Sequence, residues 1–271
     1  MEVLGTVAAG LGPIDSLEVR IVRIPLIAPF ESIFGVETVK EALLITLKKE
    51  GVEAYGECVA AAAPRYSEET IASARYMIRR YLTPLLFRED LEGPAHFIEL
   101  SSWVRANNMA IAAVEMALWD LQGKLQNRSL SGLVGGKKKE VAVGVSIGFQ
   151  PSIDRLIDVV SSRVNEGYRR IKIKIRPGYD LEPVKALRGK FPEVPLQVDA
   201  NSTYKLTDAR ALKELDPFQL LLIEQPLAHD DIIEHSTLQK QLSTPICLDE
   251  SIPARTTPER QSKSEHAASS T

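Results

Sequence analysis

The chain contains four short apolar stretches that run into charged residues: RIKIKI (170–175), PLQVDAN (195–201), LLLIEQP (220–226) and PICLDES (245–251). One charged residue of each stretch follows the last at an interval of 25 residues, namely Lys174, Asp199, Glu224 and Asp249. Helical patterns separate the stretches. A strand–helix unit repeated at this length predicts parallel strands joined by helical crossovers, with the charged residues together at one edge of the sheet.

The repeat begins with a predicted strand at 141–148 and a helix that Ser152 caps. Strands as apolar as LLLIE suit a sheet covered on both faces. A (β/α) barrel and a doubly wound open sheet both fit this pattern. No GxGxxG or P-loop follows a strand, which argues against the nucleotide-binding open sheet. About five strands precede residue 251, fewer than a closed TIM-type barrel needs, so the predicted barrel at 137–251 is incomplete.

The first part of the chain has a different rhythm. Residues 1–16 are rich in Gly and Ala and predict a loose leader. Strand patterns and then helical patterns fill 17–136 and predict an α+β domain, with strands at 17–23, 41–49 and 52–58 and helices near 68–82 and 90–104. The Ala-rich stretch 107–125 predicts a helix packed on more than one face that bridges the two parts of the molecule. The polar segment 252–271 has no period and predicts disorder.

Composition excludes several classes of protein. The 271 residues carry a net charge of −3, which gives no reason to expect a nucleic acid partner. Two cysteines allow neither a disulfide scaffold nor a CxxC…CxxC zinc site. No apolar run approaches the roughly 20 residues of a membrane span, so no membrane partner is expected. The N-terminus has no signal-peptide pattern, and a cytoplasmic location is the default expectation.

Three carboxylates at the ends of consecutive strands predict a metal site. Asp199, Glu224 and Asp249 would repel one another in an apolar barrel mouth unless a cation were present. Hard oxygen ligands without Cys or His favour Mg²⁺ or Mn²⁺ over zinc. The alternative is that these acids are helix caps or form loop salt bridges.

Two lysines on one strand predict a base. Lys172 and Lys174 are two residues apart, so both side chains project from the same face. Lysines inside a barrel are costly unless they are paired or functional. A lysine in a poorly solvated site near a cation can have a depressed pKa and act as a base near neutral pH. The alternative is an edge strand with solvated lysines.

These motifs together resemble the o-succinylbenzoate synthase / N-acylamino acid racemase family, in the muconate-lactonising subgroup of the enolase superfamily. The resemblance rests on KIKI, VDAN, IEQP and LDES in this order and covers roughly residues 17–252. Five further stretches carry it: APFESIFGVETV (28–39), GECVAAAAPRYSEET (56–70), ANNMAIAAVEMALWDLQGK (106–124), GVSIG (144–148) and EGYRRIKIKIRPG (166–178).

The resemblance implies a fold and a set of roles. The α+β part would be a capping domain whose loops near 28–36 and 62–66 close over a small carboxylate substrate. The carboxylate triad would hold the divalent metal, and Lys174 would be the acid/base. Lys172 would lie beside Lys174 to lower its pKa and to help neutralise the substrate carboxylate. Ser146 and Asn201 would contact the substrate or a metal-bound oxygen, with a structural role equally open. Family members assemble, so a homo-oligomer is possible.

The implied activity is that of a lyase in menaquinone biosynthesis, the metal-dependent dehydration to o-succinylbenzoate through a metal-stabilised enediolate. The alternative activity is that of an isomerase, an N-acylamino acid racemase or dipeptide epimerase. The family's second lysine is expected near position 274, beyond the 271 residues of this chain. Racemisation needs acid–base groups on both faces of the substrate and should be lost, whereas the dehydration can use one lysine for both proton transfers and can survive at a cost. Because the predicted barrel is also incomplete, we expect little or no activity from the chain alone. A non-catalytic truncated or frameshifted product is the third alternative.

Overall fold

The computed structural model describes residues 10–252, which divide into two compact units. Unit 1 contains the described residues up to Pro25 together with Val39–Lys139. Unit 2 contains Leu26–Thr38 and the described residues from Glu140 onward. Among the described residues, no helix is long and apolar enough to span a bilayer.

A three-stranded sheet in the order β1-β2-β3 opens the chain, formed by β1 (Ser16–Ser32), β2 (Gly35–Lys49) and β3 (Val52–Cys58). Strand β3 pairs antiparallel with β2 and agrees with the predicted strand. Strand β1 is more than twice as long as the strand predicted at 17–23, because Pro25 and Pro29 do not end it. Proline lacks a backbone donor but is tolerated on an edge strand, which is where β1 lies.

Unit 1 also contains five helices, with a π-helical turn at Ile78–Leu82 between the first two: α1 (Ile71–Met77), α2 (Thr83–Leu86), α3 (Pro94–Leu100), α4 (Asn108–Leu125) and α5 (Leu130–Leu133). The Ala-rich α4 packs against β3 at very close range. A Cβ atom on Gly56 would lie 2.0 Å from the carbonyl oxygen of Ala113, so this contact requires glycine. Ala113 and Ala117 are fully buried, as small residues allow. The bridging role of α4 stays a prediction.

Two expectations for unit 1 are wrong. Residues 11–15 are not a loose leader, since Leu11 and Ile14 are buried in the core and Ile14 N–H donates to the Leu86 carbonyl at 3.0 Å. Burial of these apolar side chains lowers the free energy of the folded state and orders the segment, although its composition is Gly-rich. The helix expected at residue 68 begins instead at Ile71, where Thr70 is the cap and forms a capping box with Ser73.

Unit 2 is built on a five-stranded parallel sheet in the order β4-β5-β6-β7-β8, as predicted from the repeat. Its strands are β4 (Gly144–Ile147), β5 (Arg170–Lys174), β6 (Leu196–Asp199), β7 (Ile223–Glu224) and β8 (Ile246–Cys247). The crossover helices are α6 (Ile153–Asn165), α7 (Leu181–Lys190), α8 (Ala209–Lys213) and α9 (Ile233–Gln239). Strands β7 and β8 have two residues each and are shorter than the five-residue strands that the sequence predicts at 220–224 and 245–249.

The crossovers form for local reasons that the sequence shows. The Ser152 hydroxyl accepts a hydrogen bond from Arg155 N–H at 3.1 Å and caps α6. Leu156 and Val160 on the inner face of α6 are buried against the sheet residues Ile171 and Ile173 in one core. This core fixes the sheet and so the positions of the strand ends.

Candidate active site

The carboxyl ends of β5, β6, β7 and β8 are aligned across the sheet. Lys174 is the register partner of Asp199, Asp199 of Glu224, and Glu224 of Cys247. Parallel strands in register point paired side chains to the same face. The repeat of 25 residues therefore becomes a row of side chains at one edge. Asp249 follows β8 after the intervening Leu248.

Both lysines contact these carboxylates. Lys174 Nζ lies 2.6 Å from Asp199 Oδ2, and Lys172 Nζ lies 2.7 Å from Glu224 Oε1 and 3.2 Å from Asp199 Oδ2. The Asp199 side chain is 2% exposed, so this is a buried cluster and not a solvated edge. The predicted common face of the two lysines is confirmed, and the edge-strand alternative does not hold because β5 lies between β4 and β6.

Asn201 and Glu250 extend the cluster. Lys174 Nζ donates to Asn201 Oδ1 at 2.5 Å, and Asn201 Nδ2 donates to Glu250 Oε1 at 2.9 Å. Asn201 N–H also donates to Asp199 Oδ1 at 3.1 Å. The structure thus places Asn201 against the predicted acid/base lysine. Glu250 was missed in the sequence, although it lies within the LDES motif.

Charge and burial compete in setting the protonation states. Burial works against the charge of Lys172, but hydrogen bonding to Glu224 and the charges of Asp199 and Glu224 outweigh it and raise the Lys172 pKa. Burial likewise opposes ionised Asp199, yet the charge and hydrogen bond of Lys174 hold the Asp199 pKa below its ordinary value. For Glu224, burial dominates and raises the pKa. The depressed pKa expected of a lysine near a divalent cation stays a prediction.

The donor set fits a hard divalent cation. Asp199, Glu224 and Asp249 offer only carboxylate oxygens, and the Oε2 atom of Glu250 is buried with no partner among the described residues. Within residues 10–252, no three His, Cys, Asp or Glu side chains are arranged as a ready-made metal-binding group. The lysine ammonium groups are the present partners of Asp199 and Glu224. The metal triad stays a prediction.

The neighbouring strand β4 brings further polar groups to the same edge. Ser146 is the register partner of Lys172, so it shares the lysine face, and it is exposed. Gln197 is the partner of Lys172 on the other side, and its buried Oε1 has no partner within the described part of the chain. Residues 26–38 form the turn end of the β1–β2 hairpin and belong to unit 2. Phe149 N–H, just after β4, donates to the Glu31 carbonyl at 2.9 Å and so joins this turn end to the end of β4.

Comparison with known proteins is consistent with this architecture. Residues 16–135 match the mandelate racemase / muconate lactonizing enzyme N-terminal domain, and residues 155–261 match the enolase C-terminal domain-like family. A solved member of the enolase superfamily from Enterococcus faecalis V583 superimposes with a TM-score of 0.84 at 40% identity, over 94% of this chain and 69% of that chain.

The chain belongs to the enolase superfamily. The predicted α+β domain followed by a (β/α) barrel-type domain is therefore confirmed, and this superfamily is enzymatic. The second match extends to residue 261, past residue 252 where the resemblance was expected to end. The tail predicted to be disordered lies, apart from Ile252, outside the described residues.

Two relatives confirm the resemblance to the narrower family. An o-succinylbenzoate synthase from Geobacillus kaustophilus is 48% identical over 240 residues, which cover 88% of this chain and 64% of the relative. An N-succinylamino acid racemase from Thermus thermophilus is 47% identical over 239 residues, which cover 88% of this chain and 65% of the relative. The chain thus spans slightly less than two thirds of the length of these relatives.

One superfamily structure bears on the cofactor. A racemase from Streptomyces coelicolor A3(2), solved with bound magnesium, superimposes with a TM-score of 0.78 at 27% identity, over 88% of this chain and 69% of that chain. Superfamily members therefore bind Mg²⁺.

Proposed function

We propose that this protein removes a proton α to a carboxylate, as a divalent-metal-dependent o-succinylbenzoate synthase. The observation that carries the proposal is the contact of Lys174 Nζ with both Asp199 and Asn201 inside a buried carboxylate cluster. The 48% identity to an o-succinylbenzoate synthase supports this choice of substrate.

In the proposed reaction, Lys174 Nζ takes the Cα proton, and the C–H electron pair moves toward the substrate carboxylate. Proton return from the same lysine to the departing hydroxyl releases water and completes the dehydration. Asp199, Glu224 and Asp249 would hold Mg²⁺ or Mn²⁺, which when bound supplies positive charge to the developing carboxylate dianion. Lys172, which contacts Asp199 and Glu224, would add a second positive charge.

The second candidate is an N-acylamino acid racemase or dipeptide epimerase. It uses the same proton abstraction, but a second acid–base group then delivers a proton to the opposite face of Cα. The 47% identity to an N-succinylamino acid racemase favours it. The two activities share Lys174 and differ in the fate of the carbanion.

Hydrogen–deuterium exchange at Cα tests the shared step without requiring complete turnover. The protein is incubated in D₂O with Mg²⁺ and an N-succinylamino acid, and loss of the Cα proton signal is followed by NMR. Exchange should occur and should slow by at least about 100-fold in Lys174→Ala, as expected for loss of a general base. Exposed Lys185→Ala on α7 is the matched control and should match the wild type.

Equal exchange in Lys174→Ala and wild type, or no exchange in either, would overturn the proposal. Conversion of the cyclohexadiene carboxylate substrate, followed by absorbance, then separates the two activities. A higher kcat/KM for dehydration than for racemisation supports the synthase, and the reverse supports the racemase.

A further inference from the structure

Gln225 lies at the end of β7, directly after Glu224, in an unusual backbone conformation. It is fully buried, and its φ of 36° falls in the left-handed region that few residues other than glycine adopt. Its backbone is tied to both neighbouring strand ends, since Gln225 N–H donates to Cys247 O and Ser202 N–H donates to Gln225 O, each at 2.8 Å. A strained residue that is held this firmly implies a local requirement.

The side-chain amide of Gln225 spans the gap to the loop after β8. Its Oε1 accepts hydrogen bonds from Asp249 N–H at 2.8 Å and Ser251 N–H at 3.3 Å. Its Nε2 donates to Ser251 Oγ at 2.6 Å and to the carbonyl oxygens of Leu227 and Ala228 at 3.4 and 3.3 Å. Backbone N–H groups only donate and carbonyls only accept, so these partners fix the orientation of the amide.

We infer that Gln225 is a positioning residue that places Asp249 for metal binding. The inference rests on the proposed function, in which Asp249 is a metal ligand. Among residues 10–252, the loop from Leu248 to Ser251 has no ladder partner beyond β8, and the Gln225 amide supplies an acceptor for its backbone. One side chain therefore links the strand that carries Glu224 to the loop that carries Asp249. The spacing between two proposed ligands depends on it.

The chain offers a matched control in Gln239. Its amide also bridges a loop, because Oε1 accepts from Ile246 N–H at 2.7 Å and Nε2 donates to Thr244 O at 3.2 Å. Gln239 acts at the beginning of β8, however, and Gln225 acts beyond its end. Replacing either glutamine by methionine removes the same polar group with little change in volume.

The test measures Mn²⁺ affinity by electron paramagnetic resonance for the wild type, Gln225→Met and Gln239→Met. Residues that orient metal ligands typically change metal affinity by about 10- to 100-fold, and we expect a loss in this range for Gln225→Met. Gln239→Met should bind Mn²⁺ as the wild type does, although both variants lose stability in urea. Unchanged affinity in Gln225→Met, or an equal loss in Gln239→Met, would overturn the inference.

If the wild-type protein binds no Mn²⁺, the proposed metal site is wrong. Failure of the proposed function is therefore distinguishable from failure of the inference about Gln225. If Gln225→Met does not fold, amide hydrogen exchange of the wild-type protein tests the inference instead. Asp249 N–H should exchange far more slowly than an unprotected amide because Gln225 Oε1 accepts it. Free exchange of this amide in the folded protein contradicts the inference.

Discussion

Lys174 and Asp199 are register partners on adjacent strands, and their Nζ and Oδ2 atoms lie 2.6 Å apart in a buried cluster. Lys172 shares the same carboxylate oxygen at 3.2 Å. Asp199 is therefore the common counterion of both lysines. Its negative charge offsets the two lysine ammonium groups, and Asp199 is also one of the proposed metal ligands.

Asp199→Asn should destabilise the metal-free protein by about 3 kcal/mol, because removing one partner leaves a buried charge uncompensated. Urea unfolding in EDTA measures this change. Asp158→Asn on the exposed face of α6 is the control and should change stability by less than about 0.5 kcal/mol. A similar small effect for Asp199→Asn would show that the pair contributes little.

Glu69 caps the helix α4 from a distant part of unit 1, since its Oε1 accepts from Met109 N–H at 2.7 Å and its Oε2 from Ala110 N–H at 3.0 Å. Glu69→Ala should cost about 2 kcal/mol of unfolding free energy, the upper range for a lost helix cap. Thermal and urea unfolding provide the measurement. The adjacent, exposed Glu68→Ala should be nearly neutral, and equal effects at both positions would rule out the capping role.

Gly56→Ala should destabilise unit 1 by at least about 3 kcal/mol, because the added Cβ meets backbone and not a movable side chain. Gly189→Ala is the control, since a Cβ there has no neighbour within 4 Å, and it should be neutral or slightly stabilising in the helix α7. Urea unfolding compares the two. If Gly56→Ala is as stable as the wild type, α4 can move away from β3 without loss of unfolding free energy, and the close contact does not require glycine.

His235 should make stability depend on pH. It is buried, its Nε2 accepts from Leu227 N–H at 3.1 Å, and burial lowers its pKa. The unfolded chain binds a proton on this imidazole near pH 6.5, and the folded state resists it. The stability from neutral His235 is thus present above about pH 6.5 and is lost as pH falls toward the lower folded pKa.

Urea unfolding between pH 8 and pH 5 checks this dependence. The wild type should lose stability over that range, and His235→Gln should lose less because it cannot take up the proton. Exposed His229→Gln should keep the wild-type slope. A slope in His235→Gln that equals the wild-type slope would assign the pH dependence to other groups.

The sequence by itself determined the parallel repeat, the order of the motifs and the common face of Lys172 and Lys174. Strand period and repeat length are local properties, and an interval of 25 residues carries a charged residue to the same strand end each time. It also predicted Asp199, Asn201 and Glu224, which the fold brings into contact with the two lysines, but it missed Glu250. The role of Asp249 as a metal ligand stays a prediction. The sequence did not predict that residues 11–15 pack in the core or that β1 continues beyond Pro25. Both features depend on which residues lie next to them in space.

Only the tertiary structure determined which side chains form hydrogen bonds and ion pairs with one another at the site. A hydrogen bond from Asp249 N–H to Gln225 Oε1 joins residues 24 positions apart, and one from Asn201 Nδ2 to Glu250 Oε1 joins residues 49 positions apart. Orientation of a side-chain amide depends on partners that the fold brings close, and no periodicity encodes them. The sequence placed the charges in one row, and the packing of neighbouring strands and loops set the contacts between them.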